Sequence, residues 1–135
     1  MFSEAEIQYL KSQRLARLAT VSSNGQPDVV PIAFQFDGKY FWIGSRSQDI
    51  LFSTMKYKNV KTGNRLVSLA VDDIESLDPW RPREIKIYGE ADIMEHSGMF
   101  GPGKYLRIAP KISWSFGLPN LNAGLRQGRL KTVHH

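Results

Sequence analysis

Three lysines lie within six residues, at positions 56, 58 and 61, and form a compact cluster of positive charge. Arg46 and Arg65 lie on either side of them, and apolar runs typical of strands precede and follow the cluster. Ammonium and guanidinium groups bind phosphate oxygens, and apolar sheet surface accepts a flat ring. This combination suits a ligand with an apolar ring system and a phosphate tail, as in a flavin or deazaflavin nucleotide.

Other residue combinations provide no reactive chemistry. The chain has no cysteine, which excludes disulfides, thiolate metal sites and cysteine nucleophiles. Its serines have no Gly-x-Ser-x-Gly context, and no phosphate-binding glycine loop precedes a helix. His96 is a lone histidine without partners at ligand spacing, so we expect a surface ring and no metal site. Because the chain offers no acid–base pair, we expect no catalytic side chain and a reaction carried by a cofactor.

The candidate ligand residues each have an alternative interpretation. Lys56 and Lys58 are two positions apart, which separates them by about 200° on a helix. Solvation is the commoner role for such a cluster, and a family resemblance favours Lys56 as a phosphate ligand and Lys58 only mildly. Arg46 follows a glycine at a strand end, where a ligand contact and a surface ion pair with Asp49 explain it equally well. Trp80 lies between prolines, where a core or dimer contact is as reasonable as a ligand contact.

Length and charge indicate one domain with a basic end. A chain of 135 residues can bury a single core. Residues 1–95 hold 12 basic and 13 acidic side chains, whereas residues 96–135 hold six basic side chains and no acidic one. The basic tail at 120–135 could bind nucleic acid, cover an anionic ligand or be solvated, and its final histidines resemble a purification tag. No apolar run reaches membrane-spanning length and no signal peptide is evident, so we expect a cytoplasmic protein.

Turn signals and apolar periodicity predict a mainly β protein with flanking helices. Ser3 and Glu6 form a capping-box pattern for a helix that should end near Gln13. Asn24-Gly25 and Asp37-Gly38 predict hairpins. The predicted strands cover residues 15–21, 28–36, 39–44, 65–72, 84–94 and 109–116.

The sequence also predicts an edge strand, a second helix and a loop. Pro31 places the strand 28–36 at a sheet edge or opens a gap in its pairing, because proline cannot donate a ladder hydrogen bond. Residues 50–61 are predicted as one helix capped by Gln48 or Asp49. Residues 73–82 are predicted as a loop punctuated by prolines.

The order of these elements and several motifs resemble a known family. The motifs are Arg17–Val21, Asn24–Phe34, Lys56–Val60, Val67–Asp73 and Asp78–Arg83. Together they resemble the FMN-binding split-barrel superfamily, the pyridoxamine 5′-phosphate oxidase-like proteins, over about residues 2–119. The Asp-Pro-Trp-Arg-Pro stretch is most similar to the subgroup labelled coenzyme F420-dependent.

The resemblance implies a fold, an assembly and a set of ligand residues. It implies a six-stranded, antiparallel, Greek-key-like barrel over residues 1–119 and a homodimer with two cofactor sites at the interface. The strand backbone at Val30, Pro31, Ile32 and Ala33 would meet the cofactor ring. Basic and polar groups would bind the phosphate, and Trp80 would reach the cofactor, often from the other subunit. The implied phosphate ligands are Ser45, Arg46, Lys56 and Lys58.

The implied function is that of an oxidoreductase that uses coenzyme F420 or FMN to transfer a hydride to or from a small unsaturated substrate. The strand 29–34 lacks the arginine and lysine of true pyridoxamine phosphate oxidases, so that activity is not expected. One alternative is a small basic β-barrel that binds nucleic acid, although the consecutive Tyr40, Phe41 and Trp42 cannot share one strand face. Another is a relative that binds a cofactor or tetrapyrrole without turnover.

Overall fold

The computed structural model describes residues 1–119 and 131–135, and within them three helices flank an antiparallel sheet. The helices are α1 (Glu4–Ser12), α2 (Gln48–Ser53) and α3 (Met55–Lys61). The strands are β1 (Leu15–Val21), β2 (Pro27–Ala33), β3 (Gln35–Phe36), β4 (Phe41–Ile43), β5 (Leu66–Ser76), β6 (Arg81–Gly98), β7 (Gly101–Phe116) and β8 (Lys131–His134).

The first helix and the first hairpin form as their local sequence predicts. The Ser3 hydroxyl accepts a hydrogen bond from the Glu6 backbone N–H, and the Glu6 carboxylate accepts one from the Ser3 N–H. This capping box satisfies two backbone donors at the start of α1. Gly25 has φ +87° in the turn that joins β1 to β2, a conformation that glycine adopts without steric cost.

One extended segment, residues 27–36, connects the two ends of the sheet. The strand order is β2-β1-β5-β6-β7-β4-β3, with β8 added beside β7. Strands β2 and β3 stand at opposite ends of that order, yet only Phe34 separates them in the chain. The sheet must therefore curve until its ends, β2 and β3, meet at this segment, which gives a split barrel.

The inside of this curved sheet is the hydrophobic core. The segment 27–36 buries Ile32, Phe34 and Phe36 on one face, as its alternating pattern predicts. Phe41, Ile43, Val71, Ile85, Ile87, Leu106 and Ile108 are fully buried in the same core. The mainly β fold class is confirmed, although the sheet has eight strands rather than six. The extra strands arise because the segment 27–36 is interrupted at Phe34 and because β8 was not predicted.

The predicted single helix over 50–61 is two helices that meet at Thr54. Its hydroxyl donates to the carbonyl of Leu51 (2.7 Å) and accepts from the backbone N–H of Tyr57 (3.4 Å). Thr54 thus caps both helices in an extended conformation, with φ −79° and ψ 149°. The first N-cap is Ser47, whose hydroxyl accepts from the Ile50 N–H, rather than Gln48 or Asp49.

The predicted loop over 73–82 is mostly strand. Strands β5 and β6 pair from Leu66↔Glu90 to Ser76↔Arg81, so only residues 77–80 form the turn. Pro82 is tolerated because the β6–β7 ladder begins at Glu84↔Phe116 and leaves one side of Pro82 without a partner strand. The β6–β7 hairpin likewise extends beyond its prediction, to the Gly98↔Gly101 pair.

Strand β8 adds residues 131–134 to the sheet. It pairs with β7 from Ser115↔Lys131 to Ile112↔His134. The His135 ring lies 2.8 Å from the Ser113 hydroxyl and packs on Phe2, with 4.2 Å between ring centroids. The rest of the predicted tail, residues 120–130, lies outside the described residues. Across residues 1–119 and 131–135, none of the helices has the length and apolarity to cross a membrane.

Candidate functional site

Lys56 is a buried cation on the first turn of α3. Only 8% of the surface of Lys56 is exposed to solvent, which is rare for lysine. Among the described residues it makes no hydrogen bond and no ion pair. Burial is the main cause that lowers the pKa of its ammonium, and the negative charge of Asp28 opposes the shift. Lys56 therefore carries a poorly solvated charge for which an anion would be a favourable partner.

A buried hydrogen bond fixes α3 in place one turn beyond Lys56. The Asn59 side-chain amide donates to the Thr20 hydroxyl over 2.9 Å, and both residues are buried. Thr20 on β1 pairs directly with Asp28 on β2. The bond therefore holds α3 over the end of β1 and explains why Lys56 senses Asp28 on the neighbouring strand.

The rest of the lysine cluster points elsewhere. Lys58 and Lys61 are exposed, and the Lys61 ammonium lies 5.8 Å from the centroid of the Tyr57 ring. Burial of Lys56 and exposure of Lys58 match the angular separation expected for two helix positions that are two residues apart. The structure thus divides the cluster into one buried cation and two solvated ones.

Strand β2 provides a free backbone edge near this cation. It pairs with β1 from Val21↔Pro27 to Leu15↔Ala33, and no described strand pairs with its other edge. The edge position of the strand that holds Pro31 is as predicted, and Pro31 is exposed there. Val30 and Ala33 are partly buried, and Ile32 is 9% exposed. An edge strand of this kind can meet a flat ligand with unpaired backbone groups.

Ser45 and Arg46 follow β4 and lead into α2. The chain passes so close to Tyr105 at Gly44 that an added Cβ would lie 2.5 Å from the Tyr105 ring. Ser45 is partly buried, whereas Arg46 is exposed. Arg46 does not form the alternative surface ion pair with Asp49, since no salt bridge joins the two side chains. The Arg46 guanidinium is therefore free of described carboxylates.

Trp80 lies far from Lys56 within one chain. It is 63% exposed at the turn between β5 and β6, beyond Ser76. Lys56 lies one helical turn before Asn59, which bonds Thr20, and the neighbouring Ala19 pairs with Ser68 on β5. The strand between Ser68 and Ser76 is about 25 Å long at 3.3 Å per residue. The structure therefore does not bring Trp80 and Lys56 together within one protomer.

A network of side chains stiffens the sheet next to Trp80. Asp73 accepts hydrogen bonds from Tyr9 (3.0 Å) and from the Arg83 guanidinium (2.9 Å). The Arg83 hydrogen bond is the main cause that lowers the pKa of Asp73. Burial and the Asp73 hydrogen bond raise the pKa of Tyr9 far above its usual value, so its hydroxyl stays protonated. These residues form a structural link between α1 and the sheet.

Other polar groups present no metal or acid–base centre in the described part of the chain. No cluster of three histidines or carboxylates in residues 1–119 and 131–135 could hold a metal ion. His96 is not a plain surface residue as predicted: its ring stacks on Trp42 at 3.7 Å with a 6° tilt. The stack lies at the β6–β7 hairpin and buries one face of the imidazole.

The structural environment of Lys56 fits the phosphate of a flavin-type cofactor. Among the described residues, the ammonium of the buried residue Lys56 lacks a partner, the β2 edge is open, and Arg46 is unpaired. Sequence reasoning identified these residues but missed Asp28, Asn59 and Thr20, which position Lys56. The Asn24-Gly25 hairpin, which fixes Thr20 opposite Asp28, was the available signal for the last of these.

Comparison with known proteins agrees with this architecture. A curated relative from Streptomyces rimosus subsp. rimosus, a 5a,11a-dehydrotetracycline/5a,11a-dehydrooxytetracycline reductase, is 35% identical over 97 residues. The match covers 72% of this chain and 67% of the relative.

Two solved structures show the same fold at low sequence identity. An F420 reductase has a TM-score of 0.62 and 19% identity, over 84% of this chain and 98% of its own. A heme binding protein from Mycobacterium smegmatis has a TM-score of 0.69 and 13% identity, over 99% of this chain and 59% of its own. Residues 2–111 match the family described as Pyridoxamine 5'-phosphate oxidase, and the protein therefore belongs to that family, as its motifs predicted.

Proposed function

We propose that this protein is an oxidoreductase that uses coenzyme F420, or alternatively FMN, to transfer a hydride to or from a small unsaturated substrate. The observation that carries the proposal is the buried residue Lys56, whose ammonium has no ion-pair or hydrogen-bond partner among the described residues, in a member of this family. The reductase from Streptomyces rimosus and the F420 reductase structure support the same class of reaction.

Lys56 and its neighbours would hold the cofactor. The Lys56 ammonium would bind the phosphate, with Ser45 and Arg46 as further polar contacts, and the β2 backbone at residues 30–33 would lie against the ring. A charge-assisted hydrogen bond to phosphate contributes about 1.5–3 kcal/mol, so several are needed to retain a cofactor that is not covalently bound. Lys58 is solvated and would add little.

The chain's own part in the reaction would be to bind, orient and shield. When bound, a flavin or deazaflavin supplies the hydride chemistry. The phosphate contacts would fix one end of the cofactor, and the β2 edge would cover one face of its ring. The other face would stay open for a planar substrate. The substrates in the name of the Streptomyces relative, dehydro forms of ring compounds, are consistent with a planar unsaturated acceptor.

The active unit would be a homodimer. Large apolar side chains are exposed on the outer side of the sheet, among them Val29 (67%), Leu66 (67%) and Tyr88 (47%). Apolar surface of this kind on a small protein is typical of an interface. A second copy would cover it and would bring its Trp80 toward the cofactor of the first.

Titration with each cofactor tests the proposal. Purified protein is titrated with FMN and with F420 and followed by their visible absorption and fluorescence. Lys56→Ala should weaken binding of the preferred cofactor by about tenfold or more, equivalent to about 1.4 kcal/mol. Lys58→Ala is the matched control, since it removes an exposed lysine from the same helix.

Each alternative has its own outcome in the same experiment. Equal affinity of the wild type and the Lys56 variant would remove the phosphate assignment. Binding of neither cofactor, with salt-dependent retention of an oligonucleotide, would support the nucleic-acid alternative. Binding of hemin in place of both would support a tetrapyrrole-binding relative.

A further inference from the structure

Asp28 places a carboxylate on the inward face of β2, the face that α3 covers. It pairs directly with the buried Thr20 on β1, and the side chains of such a pair lie on the same face of the sheet. The alternation along β2 agrees, because Val29 and Pro31 are exposed whereas Ile32, in phase with Asp28, is buried. The partly buried carboxylate therefore points toward the helix and away from the outer surface.

This carboxylate and the Lys56 ammonium interact without direct contact. The hydrogen bond from Asn59 to Thr20 holds α3 over the β1–β2 pair, one turn beyond Lys56. Asp28 makes no ion pair and no side-chain hydrogen bond with a described residue, and neither does Lys56. Burial lowers the pKa of the Lys56 ammonium, and the negative charge of Asp28 opposes that shift. Asp28 is thus a distant counter-charge that partly compensates the burial of Lys56.

A phosphate bound at Lys56 would enter the field of this counter-charge. Opposite charges attract and like charges repel through space, and both effects are larger in a partly buried site than in water. Asp28 would repel the phosphate, and the phosphate would have to replace the attraction that Asp28 already gives the ammonium. Both effects lower the affinity below the value that Lys56 would give without the carboxylate.

We propose that Asp28 competes with the phosphate of the cofactor for the Lys56 ammonium and so weakens cofactor binding. The inference rests on the proposed function and identifies a residue that sets the affinity of that site. A site weakened in this way suits a redox nucleotide that binds and leaves, rather than one that stays on the protein. Removal of the carboxylate should therefore improve binding, which is the opposite of what loss of a ligand-binding residue does.

Paired ligands with and without phosphate test the competition. The intact protein and Asp28→Asn, which removes the charge and keeps the shape, are titrated with FMN and with riboflavin, which have the same ring. F420 and its chromophore without the phosphate tail form a second pair. Asp28→Asn should bind the phosphate-bearing ligand about threefold tighter and the ring alone equally well, and the gain should shrink as salt is raised. Glu95→Gln, which removes a carboxylate that is 73% exposed, is the control and should change neither affinity.

The ligand-free protein gives a second, independent measurement. Asp28→Asn should lower the urea midpoint of the wild type, because the burial of the Lys56 charge is then less compensated. In a Lys56→Met background the same change should leave the midpoint nearly unaltered, since there is no ammonium to compensate. Equal losses in the two backgrounds would show that Asp28 does not act on Lys56 and would overturn the proposal.

The outcomes separate this proposal from the proposed function. If the wild type prefers the phosphate-bearing ligand but Asp28→Asn binds it no tighter, the competition is wrong and the cofactor site stands. If the wild type binds each ring equally well with and without phosphate, both the phosphate assignment and the competition fail. If neither cofactor binds, the proposed function fails and inorganic phosphate becomes the probe. A larger rise of the thermal midpoint with phosphate in Asp28→Asn than in the wild type would then support the competition, and an equal rise would overturn it.

Discussion

Asn59 and Thr20 share a buried hydrogen bond of 2.9 Å that joins α3 to β1 directly behind Lys56. Neither side chain has a charge, yet the bond determines where the helix lies on the sheet. The position of the candidate phosphate ligand therefore depends on two residues that would not touch the ligand.

Removal of one partner of this bond should destabilise the protein. Asn59→Leu would leave the Thr20 hydroxyl buried without its donor, at a cost of about 1–3 kcal/mol. Urea denaturation of the variant measures the change in the free energy of unfolding. The double variant Asn59→Leu with Thr20→Val should recover part of the loss, because both polar groups are then absent. Additive losses in the double variant would contradict a direct interaction.

Lys56 should reduce the stability of the cofactor-free protein. Burial holds its pKa in the folded state below the usual value of 10.5. The folded state thus disfavours the bound proton, and the unfolding free energy should rise with pH between the lowered pKa and 10.5. Lys56→Met should be more stable than the wild type near pH 7, and the difference should shrink as the pH rises through that interval. Thermal unfolding of both proteins across this pH range measures it.

An exposed lysine provides the control for that experiment. Lys58→Met lies on the same helix and should leave both the stability and its pH dependence nearly unchanged. If Lys58→Met stabilises the protein as much as Lys56→Met does, the effect comes from helix composition and not from burial of charge.

Asp73 should stabilise the link between α1 and the sheet at neutral pH. The Arg83 hydrogen bond holds its pKa below the usual value of 3.8. Its contribution is therefore complete above pH 3.8 and is lost as the pH falls through the lower folded-state value. Asp73→Asn should reduce the free energy of unfolding at pH 7 by about 1–2 kcal/mol, given the partial exposure of the pair.

Comparison at low pH makes this prediction specific. The wild type and Asp73→Asn should converge in stability in strong acid, where the wild-type carboxyl is also neutral. Glu95→Gln, which changes a carboxylate that is 73% exposed, should match the wild type at both pH values. A constant gap between the wild type and Asp73→Asn at every pH would show that the charge of Asp73 is not the cause.

The outer face of the sheet should be an interface between two copies. Val29→Lys combined with Leu66→Lys would place two charges on apolar surface that a partner should cover. Sedimentation should give twice the chain mass for the wild type and the single mass for the double variant. Ile50→Lys on α2 is the control for added charge. A wild type that sediments at the single mass at all concentrations would contradict the dimer.

Local signals predicted the parts of the fold that depend on neighbouring residues. Ser3 with Glu6, and the glycine turns of the first two hairpins, act over a few residues and formed as expected. The break at Thr54 was missed because the apolar pattern runs through it as through one helix. The hydroxyl caps both helices through hydrogen bonds that this pattern does not reveal. The long β5–β6 pairing was missed because Pro82 suggested a loop, and only its place beyond the β6–β7 ladder makes a proline acceptable there.

The candidate site was predictable in its members more than in its geometry. The family motifs led to Lys56, Arg46 and the strand 30–33, but one chain does not place Trp80 beside them. The bond between Asn59 and Thr20 becomes visible only once the packing of α3 on β1 is known. Packing of this kind depends on contacts distant in sequence, so residue patterns alone do not contain it.

Closure of the barrel links early and late parts of the chain. Strand β4 pairs with β7 from Phe41↔Ile108 to Ile43↔Leu106, while β2, in the same extended segment as β3, pairs with β1. The apolar face of β4 therefore gains its partner strand only when the β6–β7 hairpin, more than 60 residues later, has formed. Folding should be slow, with a rate set by this distant pairing.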